Sequence, residues 1–127
     1  MEIVRYTQKI EQNTKSTCKE IKEKIITLEK TIGYLQDKRN ELMNAIKNEF
    51  DITFMRTSEE FNGDPGGIWI SAENGDTNKD GLLLIDYYTR NPEHYLFGVH
   101  KDLTNLLNQH DYFAEFEDPG TVTIWPI

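Results

Sequence analysis

The chain has 127 residues, 37% apolar and 28% charged, which is room for one ordinary domain and excludes a multidomain enzyme. A single cysteine, Cys18, leaves no internal disulfide, and without a CxxC or Cys/His cluster no zinc site or other metal centre is expected. The opening Met1-Glu2-Ile3-Val4-Arg5 is not a basic segment followed by an apolar core, and eighteen consecutive apolar residues occur nowhere, so a cytoplasmic protein without a membrane span is expected.

The net charge of −8 is unevenly shared. Residues 1–50 hold ten Lys and Arg against eight Asp and Glu, a net +2, whereas residues 51–127 hold four against fourteen, a net −10. Nucleic-acid affinity rests on many Lys and Arg contacts to phosphates, so DNA and RNA are disfavoured as partners. A small anion needs only two or three donors, and the acidic part offers Arg56, Lys79, Arg90 and Lys101.

In the first fifty residues, Cys18, Ile21, Ile25, Leu28, Ile32, Leu35, Leu42 and Ile46 alternate spacings of three and four, broken only where Arg39 takes a turn. With Cys18, Ile25, Ile32, Arg39 and Ile46 at heptad position a, the d positions are Ile21, Leu28, Leu35 and Leu42, the combination that favours a parallel two-stranded coil. No proline precedes Pro65, so one helix can run from about residue 3 to residue 49, roughly 70 Å at 1.5 Å per residue. A break near Asn13-Thr14 or Gly33, and an amphipathic hairpin folded onto its own domain, are the alternatives. The narrow stripe favours the coil, and Met43 widens it near the end, which suggests that the last turns dock on the rest of the chain. Residues 1–50 thus read as a helical oligomerisation arm and 51–127 as a separate head. Cys18 is then an apolar filler of the seam.

After Phe50 the pattern changes to short β-rich runs. Strands are predicted near residues 52–56, 68–73, 82–88, 95–99, 112–117 and 121–125. Leu103, Leu106, Leu107 and His110 mark a short helix over 101–110. Asp118-Pro119-Gly120-Thr121 has the proline and glycine of a type II turn, so the last two strands should form a hairpin. The fold class is α+β: a long coiled-coil-type helix, then a mostly antiparallel sheet with one short helix. Alternation across 68–73 and 82–88 leaves both faces of that sheet apolar, one covered by the short helix and the other by the long helix or a second protomer. Trp69, Tyr88, Phe97, Phe113 and Trp125 are too many aromatics for one modest core, so some should line a groove.

Asp76-Thr77-Asn78-Lys79-Asp80-Gly81 reproduces the opening of a calcium loop. The acid required at the twelfth position falls on Tyr87, however, and a strand rather than a helix should follow, so a polar hairpin loop is the better reading. Asn62-Gly63-Asp64-Pro65-Gly66-Gly67 lacks the Lys-Ser/Thr ending of a phosphate loop. His94, His100 and His110 have no metal spacing, and no serine or cysteine forms a recognisable triad, so no catalytic residues are assigned and the protein is not expected to be an enzyme.

Asp86-Tyr87-Tyr88, Phe97-Gly98-Val99-His100-Lys101 and Ala114-Glu115-Phe116-Glu117-Asp118-Pro119-Gly120-Thr121 together resemble small phage proteins of the first-described Thoeris anti-defence family, over about residues 66–127. These proteins are sponges for the cyclic ADP-ribose isomer made by TIR enzymes. The resemblance implies an oligomeric α+β protein of the host bacterial cytoplasm that sequesters a cyclic ADP-ribose-type nucleotide (glycocyclic ADP-ribose) between protomers without cleaving it, and so blocks Thoeris immunity. The family pattern assigns no individual residue here, so the candidate ligand-binding residues come from chemistry. Arg56, Arg90 and Lys101, with His100 at the start of the short helix, suit a pyrophosphate; Tyr88, Phe97 and Phe113 suit adenine; Asn91 suits a ribose. No cofactor is implied. The alternative is an acidic inhibitor whose head mimics DNA and fills the basic cleft of a host nuclease or defence enzyme.

Overall fold

The structure, a computed structural model, describes the backbone of residues 2–127 and the side chains from Thr7 onward. It is α+β, in the order α1 (Glu2–Glu49), β1 (Met55–Thr57), α2 (Ser58–Asn62), β2 (Ile68–Ser71), β3 (Tyr95–Leu96), β4 (Val99–His100), α3 (Lys101–Gln109), β5 (Tyr112–Asp118) and β6 (Thr121–Pro126). Two compact units divide the chain, residues 1–35 and 36–127.

Among the described residues the first unit is helix throughout. α1 passes Asn13-Thr14 and Gly33 without a break, because no proline lies in it and each of these weak helix formers is set among strong ones such as Gln, Glu, Lys and Leu. Thr14, Thr17, Thr27 and Thr31 each donate a hydroxyl to the carbonyl four residues earlier at 2.9–3.0 Å, so their polar groups are satisfied inside the helix.

The second unit opens with the end of α1. Leu42 and Ile46, the last d and a residues of the heptad pattern, are fully buried there with Phe50, so the last turns of α1 belong to the compact unit of residues 36–127. Four strands form an antiparallel sheet in the order β1-β2-β6-β5. Its inner face carries Ile68 and Ile70 of β2, Val122 and Ile124 of β6, and Ala114 and Phe116 of β5; these pack with Leu42, Ile46, Leu84 and the apolar side of α3, Leu103, Leu106 and Leu107. β5 and β6 form the expected hairpin. Its turn is not type II, because Gly120 has no positive φ; Asp118 Oδ1 instead accepts the Gly120 N–H at 2.9 Å, an aspartate-closed turn.

Two strand predictions are overturned. Residues 82–88 form a winding loop held by isolated bridges, Thr77 to Leu83 and Ile85 to Val99, and by hydrogen bonds from Leu84 N to Asp76 O and from His100 N to Leu84 O. Leu84 and Ile85, adjacent in sequence, are both buried, which a pleated strand packed on one face does not allow. Apolarity on alternate faces there reflects a twisting loop. Residues 95–99 are likewise not one strand: β3 and β4 are the two arms of a hairpin that pairs Tyr95 with His100 and Leu96 with Val99. Phe97 and Gly98 at its tip have φ of 49° and 79°, both positive, as a type I′ loop requires.

α2 is absent from the sequence-based elements. Thr57 caps it, accepting the Glu60 N–H at 3.3 Å, and Gly63 closes it with φ 84°. Thr57-Ser58-Glu59-Glu60 is a capping-box pattern, so the signal was there to be read.

Candidate functional site

The hairpin β3–β4, helix α3 and the edge strand β5 enclose a hollow of about 210 Å³ lined by Leu96, Phe97, Val99, Thr104, Leu107, Asn108, Phe113 and Ala114. Each element is placed by ordinary packing. α3 lays Leu103, Leu106 and Leu107 on the sheet, which turns Thr104 and Asn108, four residues apart on one helix face, toward the opening. β5 alternates, so buried Tyr112 and half-buried Ala114 on the inner face leave Phe113 42% exposed beside the hollow. The two-residue hairpin tip projects Phe97, 90% exposed, the most exposed aromatic side chain in this unit. A Cβ on Gly98 would lie 2.9 Å from the Phe116 ring, so glycine is demanded there by both the positive φ and the close approach of an aromatic neighbour.

Of the eight sequence-predicted ligand residues, Phe97 and Phe113 come together in this hollow. Lys101 stands one turn before Thr104 on the same helix face, three and seven residues ahead of Thr104 and Asn108. Tyr88 is 77% exposed and packs edge-on against Tyr87, which packs edge-on against Phe116, next to Gly98. Arg90 and Asn91 are exposed in the loop after Tyr88, where Asn91 Oδ1 accepts the Glu93 N–H at 3.1 Å. They join no pair of strands, because 82–88 is not one.

His100 is placed differently from its sequence reading. Its ring is buried and caps α3: Nδ1 accepts the Asp102 N–H at 3.0 Å, and Nε2 lies 3.3 Å from Asn78 Nδ2. His94 stacks on it at 5.9 Å and Tyr95 meets it edge-on at 5.3 Å. Lys101 N–H donates to His94 O at 2.8 Å. The start of α3 is thus already furnished with acceptors, and the Asp102 carboxylate occupies its first turn.

Arg56 lies on β1, at the opposite edge of the sheet from β5, three strand spacings or about 14 Å from Phe113's strand. Its guanidinium sits 4.7 Å above the Phe54 ring and 3.8 Å from Glu60. Phe54 meets Trp69 edge-on at 5.0 Å and Phe61 stacks on Trp69 at 4.7 Å, so this aromatic cluster belongs to the outer face of β1 and β2. Sequence patterning anticipated a surplus of aromatics but not this division into two groups on one sheet. Leu96, Thr104 and Asn108 were also missed; the i, i+4 polar pair opposite the apolar side of α3 was the available signal.

In the calcium-like loop, Asp76 and Asn78 are already engaged by the protein's own donors. Asp76 accepts Thr53 N–H with both oxygens at 3.2 Å and the Thr53 hydroxyl at 2.5 Å, while Asn78 Oδ1 accepts the N–H groups of Asp80 and Leu82 at 3.0 Å. Asn78 Nδ2 donates to Asp102 Oδ2 at 3.1 Å. Those oxygens hold the protein together, and among the described residues no three His, Cys, Asp or Glu side chains converge as metal ligands. Nor, among the described residues, is any helix long and apolar enough to cross a membrane.

Behind the glycine-rich loop, Glu59 accepts Arg39 Nη1 at 2.6 and 2.8 Å and also the Gly66 N–H. Partial burial pushes its carboxyl pKa up, but the hydrogen bond from Gly66 and those from Arg39 and Ser58 outweigh this and hold it below its ordinary value of 4.5. Burial raises the Tyr95 phenol, as does nearby Asp86, consistent with its O–H donating to Leu83 O at 2.8 Å. Tyr95 is therefore a neutral donor fixing the hairpin base. The hollow then combines two aromatic side chains, an apolar floor, two polar groups on its helical wall and a cation one turn along that wall, a set that accommodates a flat heteroaromatic ring carrying an anionic group. Compared with known proteins, the chain matches no protein-family model, no curated protein and no solved structure.

Proposed function

We propose that the protein binds and sequesters a cyclic ADP-ribose-type signalling nucleotide without cleaving it, as a phage anti-defence protein that keeps glycocyclic ADP-ribose from a Thoeris effector. One observation carries the binding part: Phe97 is held almost wholly in solvent by a left-handed turn, at the rim of a hollow that Phe113 also lines. Exposing a large aromatic forgoes about 1.5–3 kcal/mol of burial, and a positive φ at a bulky non-glycine residue adds strain. A flat ring placed against Phe97 recovers that surface. The identity of the nucleotide rests on the resemblance over residues 66–127. The hollow is smaller than the roughly 300–1,000 Å³ of a complete small-molecule pocket, which suits a site that receives one ring and leaves the rest of the ligand to further groups. Lys101, Arg90 and Asn91 are exposed and available to a pyrophosphate and a ribose.

The test is incubation with cyclic ADP-ribose isomers, followed by heat denaturation and analysis of the released ligand. Stoichiometric uptake and recovery of intact nucleotide are expected. Phe97→Ala and Phe113→Ala should each weaken uptake by roughly tenfold or more, since stacking one base on an aromatic is worth about 1–3 kcal/mol. A linearised product overturns the non-catalytic reading, and full uptake by both alanine variants overturns the site. The −10 charge of residues 51–127 favours the second reading, a DNA-mimicking inhibitor; salt-sensitive binding to a nuclease without nucleotide uptake would establish that instead.

A further inference from the structure

We infer that Asn74 is a modification site, at which the folded chain spontaneously loses ammonia from the side-chain amide and becomes aspartate and isoaspartate. The inference is independent of the nucleotide reading. Asn-Gly-Asp occurs twice in the sequence, at Asn62-Gly63-Asp64 and at Asn74-Gly75-Asp76, so the two asparagines have the same following residues and matched local chemistry. Both asparagines and both glycines are exposed, which removes burial as a difference between them. Hydrogen bonding separates them. Gly63 closes α2, and its N–H donates to Glu59 O at 3.0 Å. The Asn62 amide donates through Nδ2 to Asp64 Oδ2 and accepts the Asp64 N–H at Oδ1, both at 3.0 Å. Among the described residues, neither the Asn74 amide nor the Gly75 N–H takes part in a hydrogen bond.

The reaction needs a free main-chain nitrogen next to the amide. A following glycine has no side chain to hinder the approach, and the Gly75 nitrogen attacks Asn74 Cγ. The N–Cγ bond forms, the Cγ–Nδ2 bond breaks, and ammonia departs with the proton of the Gly75 N–H. Water then opens the five-membered imide at either of its two carbonyls. One opening leaves aspartate and the other isoaspartate; one water is taken up and one ammonia released, with no oxidant or reductant. At Asn62 the same attack must first break the Gly63 bond that ends α2 and free the amide from Asp64. Isoaspartate at position 74 lengthens the main chain by one methylene two residues before Asp76. Asp76 holds Thr53 through its carboxylate and accepts the N–H of buried Leu84 at 2.9 Å through its carbonyl. The change therefore falls beside the contacts that fasten this loop to the segment before β1 and to the core.

The experiment incubates the full chain in mildly alkaline buffer, folded and in guanidinium chloride, and follows the tryptic peptide 57–79, which contains both motifs. Mass spectrometry with electron-transfer fragmentation locates the change and distinguishes isoaspartate from aspartate. In the folded chain, conversion at Asn74 should be roughly tenfold or more faster than at Asn62; in guanidinium chloride, where the protecting hydrogen bonds are gone, the two rates should be similar. Asn74→Gln should abolish the early acidic species. The converted chain, separated by anion exchange, should melt below the unconverted one. Folded-state conversion that is equal at the two sites, faster at Asn62, or undetectable while the denatured chain is converted would overturn the proposal. A preference for Asn74 that persists in denaturant, or an early acidic species that survives Asn74→Gln, would do the same. An unchanged melting temperature would overturn the effect on the Asp76 contacts.

Discussion

Arg39 occupies a heptad a position, where an apolar residue would continue the seam, and the structure turns it toward Glu59 instead. Its side chain is 11% exposed and Glu59's 38%, with Nη1 bridging both carboxylate oxygens and lying 3.3 Å from Gly67 O. Arg39→Met keeps most of the stem and removes the charge. A hydrogen bond to a charged group contributes about 1.5–3 kcal/mol when well shielded, and the partial exposure of Glu59 lets water replace part of it, so a loss of about 1–2 kcal/mol is expected at neutral pH. For the second unit of residues 36–127 that is a fall in Tm of about 5–15 °C. Because the folded-state pKa of Glu59 lies below 4.5, its contribution is complete above that value and disappears as pH falls through the folded pKa. The difference between wild type and Arg39→Met should therefore shrink well below pH 4.5. Circular dichroism melts at neutral and acid pH, at one protein concentration, measure both. An equal deficit at both pH values would refute the ion-pair account.

Leu42→Ala should destabilise the second unit by about 2–5 kcal/mol in denaturant titrations followed by tryptophan fluorescence, because its side chain is fully buried; Ile25→Ala, on the exposed stretch, should leave that transition within about 0.5 kcal/mol. Gly67→Ala would set a Cβ 2.6 Å from the Trp125 ring and 2.9 Å from Ile124 O, so a cost of about 1–3 kcal/mol and an altered Trp125 emission are expected. Millimolar calcium should leave the melting temperature unchanged, since Asp76 and Asn78 already accept protein hydrogen bonds; a clear gain in Tm would reinstate the loop as a metal site.

What local sequence determined here are the elements whose apolar spacing matches the single face they bury. The 3.6-residue stripe specified α1 and α3, and strict alternation with a proline–glycine turn specified the β5–β6 hairpin, because each of these elements buries a face set by its own spacing. Tertiary structure alone decided the rest. Leu84 and Ile85 are drawn into the core together by a loop that no periodicity describes, and Phe97 takes a positive φ because two strands must reverse within two residues. His100 becomes a buried cap because Asn78, His94 and Tyr95, remote or weakly patterned in the chain, surround its ring. The separation of Arg56 from Phe113 follows from strand order, since β6 is inserted between β2 and β5 by hydrogen-bond pairing across long sequence distances. Such contacts depend on which surfaces exclude water jointly, and that is a property of the assembled chain rather than of any segment in it.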